Sequence, residues 1–158
     1  MNVLSELLNN KMIICPVIGW TVAQILKVLI NYCMTKELNL ERLVGSGGMP
    51  SSHSATVCAL ATSTLLHKGA GSFEFAVTLV FALVVMYDAM NVRMETGKQA
   101  IVLNLFLNNE RIRKSLEENS KVKWPELILK EYVGHTPLQV FFGALLGIAI
   151  GIIVCEFC

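Results

Sequence analysis

The sequence predicts an all-α, polytopic membrane protein: a bundle of four spanning helices, with a fifth as the alternative, plus surface helices in the 91–137 segment. Three observations lead there. The 158 residues are 54% hydrophobic and 16% charged, against about 25% charged in an ordinary soluble domain. Four apolar runs approach the roughly 20 residues that a helix needs to cross the hydrocarbon core. Lysine and arginine are divided very unequally between the two sets of loops that such a threading creates. The length is that of one domain, 1–158.

Residues 1–11 are mixed and polar, and the run 12–34 passes through Gln24 and Lys27 without a small-residue cleavage site. This reads as a retained membrane anchor rather than a signal peptide. The run 54–70 is shorter and dotted with serine and threonine; it spans if its helix starts near Ser52. The run 73–90 contains Tyr87 and Asp88 near its end, and 138–158 is strongly apolar. Between the last two lies the polar stretch 91–137. Its 99–107 part is apolar but short, and 110–123 is highly charged. One or two helices at the membrane surface are expected there, with Ile101, Leu105, Ile112 and Leu116 along one face. A re-entrant or fifth spanning segment at 99–107 is the alternative. Cys15, Cys33 and Cys58 lie in apolar runs and read as small buried hydrophobes. The terminal C-x-x-C of Cys155 and Cys158 has no second pair and reads as incidental.

With four spans, both termini share one side, and the loop 35–52 shares the other with the 91–137 stretch. Of the 13 lysines and arginines, ten fall on the loop side (Lys36, Arg42, Arg93, Lys98, Arg111, Arg113, Lys114, Lys121, Lys123 and Lys130) and only Lys11 and Lys68 on the terminal side. The positive-inside rule then puts the loop side in the cytoplasm and both termini outside, in what reads as a bacterial plasma membrane. Gly143, Gly147 and Gly151 form a small-residue stripe on the last span. Such a stripe serves either close packing within the bundle or a homodimer seam.

This threading brings His53, Asp88, Arg93 and His135 to one membrane face. Two of the helix ends there are N-termini. Ser51 or Ser52 is suited to cap one, and Thr136 followed by Pro137 the other. Unpaired N–H groups and the helix dipole make such ends attractive to anions. Gly45, Gly47 and Gly48 let backbone approach a ligand, and Arg42, Arg93 and Lys98 are candidate cationic clamps. Together these features suggest phosphate binding at the membrane surface. Lys27 either snorkels to the cytoplasmic end or faces the bundle interior beneath the site with Gln24, one turn away.

The stretches "GGMPSSHSA", "YDAMNVR" and "GHTPLQVFFGALLG", in that order, resemble the divergent branch of the type-2 phosphatidic acid phosphatase superfamily, which is related to the vanadium haloperoxidases. The resemblance covers nearly the whole chain. It implies that Ser51 binds phosphate, that His53 is the general acid, and that His135 is a nucleophile attacking phosphorus in line to form a phosphohistidine. Ser52 stands where that family has glycine, and Gln139 where it has the aspartate that orients the nucleophile. Its arginine six residues before the second histidine is Leu129 here, with Lys130 beside it. Its opening lysine-to-arginine-proline motif has only Lys36 and Arg42 as counterparts, without the proline. Asp88, Glu95 or Glu131 are candidates to replace the missing acid.

The implied activity is hydrolysis of a phosphomonoester or pyrophosphate of a lipid or isoprenoid at the cytoplasmic leaflet, a hydrolase function. That scheme requires no metal or other cofactor. A non-catalytic carrier or regulator that binds lipid phosphate at a degenerate site is the second reading. A metal-dependent phosphatase using His53, His135, Asp88 and Glu95 is the third. The partners expected are the lipid phosphate and membrane lipids, with no nucleic acid.

Overall fold

The computed structural model describes residues 2–36, 48–119, 128–129 and 134–157. Every regular element among them is a helix: α1 (Val3–Asn9), α2 (Lys11–Thr35), α3 (Ser52–Lys68), α4 (Phe73–Met90), α5 (Val92–Leu107), α6 (Glu110–Asn119) and α7 (Pro137–Phe157).

Local chemistry sets the boundaries. The Asn10 side chain caps α2 by accepting from the Met12 N–H at 3.0 Å. Ser72 caps α4 in the same way, accepting from the Phe75 N–H at 3.1 Å. Gly69 turns the chain between α3 and α4 at φ 83°, where a Cβ would be strained.

Helix α3 is the hub. It packs against α2, α4 and α7, antiparallel to α2 and α4 and parallel to α7. Its interior surface is made of small side chains, including Ser54, Ala55, Cys58, Ala59 and Ser63. Three of its hydroxyls bond back to the helix: Thr56 donates to the Ser52 carbonyl at 2.7 Å, Ser63 to the Leu60 carbonyl at 2.9 Å and Thr64 to the same carbonyl at 2.8 Å. That explains how a serine- and threonine-dotted run can sit in a bundle core.

Of the four runs expected to span, three lie in helices long and apolar enough to cross a membrane: Lys11–Thr35, Phe73–Leu107 and Pro137–Phe157. The fourth, α3, has 17 residues, about 26 Å at 1.5 Å per residue. It is flanked on three sides by other helices and does not need an apolar exterior. The outer helices do the reverse. Helix α4 buries only Ala82 and Ala89, while Val77, Val80, Phe81, Leu83 and Val84 stand exposed, the arrangement of a lipid-facing helix.

The glycine stripe of α7 is buried inside the bundle. A Cβ at Gly143 would overlap the Ser51 carbonyl, one at Gly147 the Ala55 carbonyl, and one at Gly151 the Thr62 side chain. Of the two readings of the stripe, packing within the chain is the observed one. Within the chain, α3 covers the face that a seam through these glycines would use.

The 91–137 segment does contain helices, but 99–107 is not a separate short element. It is the second half of α5, which follows α4 after the single residue Asn91. The Asn91 N–H bonds the Tyr87 carbonyl at 3.0 Å and its own carbonyl accepts from the Glu95 N–H at 2.9 Å, so the ladder continues across the junction. Ile101, Leu105, Ile112 and Leu116 are all exposed.

Candidate functional site

The two halves of the site are tied together by backbone. Ser51 caps α3, its hydroxyl accepting from the Ser54 N–H at 3.4 Å. The Ser51 N–H donates to the Gln139 carbonyl on α7 at 3.0 Å. Only a glycine at 143 lets α7 come this close to the Ser51 carbonyl.

The start of α7 is a capping box. The Gln139 N–H donates to the Thr136 hydroxyl at 3.4 Å, and the Gln139 amide oxygen accepts from the Thr136 N–H at 3.1 Å. The same oxygen lies 3.2 Å from His135 Nδ1. A backbone N–H can only donate, so the Thr136 bond identifies that atom as the amide oxygen, and His135 must carry its proton on Nδ1. The lone pair is then on Nε2. The His135 N–H also donates to the Ala89 carbonyl at the end of α4, at 3.0 Å.

His135 is 1% exposed, and its Nε2 is buried with no hydrogen-bond partner among the described residues. The same holds for Nδ1 of His53. The two rings meet edge to face with centroids 5.8 Å apart. Two unpartnered buried imidazole nitrogens in adjacent rings are costly unless something else engages them. Burial is the main cause that pushes the His135 imidazole below its ordinary range. The Gln139 bond opposes this, and the charges of Lys27, His53 and Arg93 add to it.

The cations divide by position. Lys27, 4% exposed, turns inward and donates from Nζ to the Ser52 hydroxyl at 3.1 Å. Arg93 donates from Nε to Asp88 Oδ2 at 2.7 Å, both half-exposed, and both line a cleft with His53. Lys98 pairs with Glu95 at 2.7 Å on the exposed surface and borders a smaller crevice beside His135 and Thr136. Arg42, Gly45, Gly47, Lys130 and Glu131 lie outside the described residues. Asp88 and Glu95 face Arg93 and Lys98, so neither takes the place of an acid behind His135. Gln139 itself occupies that place. Among the described residues, no three histidine, cysteine or acidic groups gather as a metal would require, so His53, His135, Asp88 and Glu95 do not assemble into the ligand set considered above.

The cleft holds about 780 Å³ between α2 and α4, floored by α3. The backbones of α2 and α4 stay apart, and the lining side chains Trp20, Phe81 and Val84 are exposed, so the cleft opens sideways. Ser52, His53, Asp88 and Arg93 line it together with the apolar Trp20, Val57, Phe81, Val84 and Val85. These apolar walls, and the contact of Lys27 with Ser52, had no signal in the sequence. The capping box did have one, in the T-x-x-Q spacing of Thr136 and Gln139.

Comparison with known proteins identifies the family. The profile of the Divergent PAP2 family matches residues 8–150. The chain is 38% identical over 155 residues to the uncharacterized membrane protein YuiD of Bacillus subtilis (strain 168), covering 96% of this chain and 98% of that one. No solved structure matches. The match covers most of the chain, and the chain is a member of the divergent PAP2 family.

Proposed function

We propose that this protein is a membrane lipid phosphate phosphatase acting on a phosphomonoester or pyrophosphate of a lipid or isoprenoid. The observation that carries this reading is the pair of adjoining imidazoles, His135 buried and His53 half-buried, each with a buried nitrogen that has no partner among the described residues, beside an amphipathic cleft open to the side. His135 Nε2 attacks phosphorus in line. The bond to the leaving alkoxide breaks as His53 donates a proton to it. Water then attacks the phosphohistidine while His53 takes up its proton, releasing phosphate and restoring His135. Lys27, Arg93, Ser51, Ser52 and the start of α3 offset charge on the transferring oxygens. The apolar walls of the cleft suit the lipid chain. The lysine and arginine distribution supports a cytoplasmic site with both termini outside, in a bacterial plasma membrane.

His135→Ala and His53→Ala, assayed for phosphate release from a panel of lipid phosphates, test the assignment. Turnover is lost in both, and unchanged turnover in either would sink it. A second reading has a specific observation in its favour: Gln139 presents an amide where a carboxylate would stabilise an imidazolium. On that reading the site binds a lipid phosphate without hydrolysing it. Saturable binding that needs His53 or Arg93, with no phosphate released by the unmodified protein, selects it.

A further inference from the structure

We infer that Cys15 and Cys155 form a redox-active thiol pair at the end of the bundle opposite His53 and His135, a modification site for a low-molecular-weight disulfide. The two residues are 140 positions apart in sequence, on α2 and α7, yet their sulfurs lie 3.9 Å apart. Cys15 is fully buried, and Cys155 is only partly so. Apolar residues of three helices, including Ile14, Ala59 and Val154, hold them in place.

The surroundings of Cys155 are polar on its outer side. His67 Nδ1 is 3.7 Å from its sulfur and 2.9 Å from the Ser63 carbonyl. That carbonyl can only accept, so Nδ1 carries a proton, given chiefly to Ser63, and the Cys155 sulfur lies beside the same N–H. Lys11 Nζ donates to the Cys155 carbonyl at 3.2 Å. No other described cysteine is set like this: Cys58 meets the Met86 thioether at 3.8 Å inside the core, and Cys33 is exposed. Closing the pair to a bond of about 2.05 Å asks the sulfurs to move together by roughly 2 Å.

The chemistry is thiol–disulfide exchange. The more accessible Cys155 sulfur attacks one sulfur of the incoming disulfide, and one thiol leaves with the proton that Cys155 gives up. The Cys15 sulfur then attacks Cys155 in the mixed disulfide and expels the second thiol. Two protein thiols are oxidised and one disulfide is reduced to two thiols. The product staples the start of α2 to the end of α7 and leaves the end with His53 and His135 untouched. His53 and His67, near the two ends of α3, are about 21 Å apart along its axis. On the topology proposed above, the thiol pair faces the side outside the cytoplasm, where disulfides persist.

The test uses the full chain in detergent, exposed to oxidised glutathione, then blocked with a maleimide, digested and mapped by mass spectrometry. Cys15 and Cys155 are expected to lose maleimide labelling together and to appear in one cross-linked peptide, while Cys33 and Cys58 stay labelled. In Cys15→Ser the exchange stops after the first step, and Cys155 keeps glutathione. The wild-type map stands even if that variant folds poorly. Cys155 joined to Cys158 with Cys15 still labelled, a lasting glutathione adduct on wild-type Cys155, or both thiols remaining reduced would each overturn the proposal. None of these readouts depends on phosphatase activity.

Discussion

At Gln139 one amide oxygen accepts from both Thr136 N–H and His135 Nδ1, so the atom that caps α7 also sets the tautomer of the proposed nucleophile. Gln139→Leu removes both functions. We expect a loss of about 0.5–2 kcal/mol in stability from the cap and a fall in turnover of roughly 10²–10⁴-fold from the freed ring, read by thermal unfolding and by initial rates. Gln139→Glu keeps the capping box, which accepts either residue, but puts a carboxylate on the imidazole. That favours the imidazolium, so the acid limb of the pH–rate profile moves to higher pH than in the wild type. The unmodified protein has the opposite bias. With its folded pKa depressed by burial, His135 stays neutral below the ordinary imidazole value of about 6.5. Its contribution to stability is present above that value and is lost as pH falls through the depressed one, because the unfolded chain then binds the extra proton. Melting temperatures of wild type and His135→Gln, followed from pH 7.5 downward, check this: the wild type loses more on acidification. The residue types of the site were legible in the sequence, and so was the T-x-x-Q box. The position of Lys27 was not. Its bond to Ser52 joins residues 25 apart, and only the packing of α2 on α3 decides that the side chain turns inward rather than snorkelling.

For the helices, the decisive contact is α3 on α7. Gly143 and Gly147 lie against carbonyls of Ser51 and Ala55, and backbone cannot give way as a flexible side chain can. Gly143→Ala or Gly147→Ala should destabilise the bundle by about 1–3 kcal/mol through overpacking, seen as a lower melting temperature in detergent with the oligomeric state unchanged. A change of oligomeric state alone would mean that the stripe serves an interface between chains. The existence and order of the long helices could be read from apolar runs, because length and apolarity are properties of a local window. The role of α3 could not. Its composition resembles a weak span, and only the burial of its small residues by α2, α4 and α7 shows it to be the core. The end of α4 misleads for a related reason: the polar residues from Asp88 onward suggest a stop, yet the hydrogen-bond ladder runs on through Asn91 into α5.

The whole molecule leaves a side-opening cleft between α2 and α4, polar at its His53 end and apolar along Phe81 and Val84. If a lipid chain lies there, Val84→Trp should sharply reduce turnover of long-chain lipid phosphates while sparing a short, water-soluble phosphate ester. Equal loss on both substrates would argue against that use of the cleft. The sequence by itself determined that the chain is a helical membrane protein, where its apolar runs fall, and that lysine and arginine concentrate in the stretches 35–52 and 91–137, because each depends on composition within a window or a loop. It also carried the motifs that identify the family. Tertiary structure alone decided which nitrogen of His135 is free, which cations turn inward, that the glycine stripe is filled by α3, and that two thiols 140 residues apart meet. Each of these depends on the rotation of one helix about its axis relative to another. That angle is set by close packing between helices and leaves no mark in either helix's own sequence.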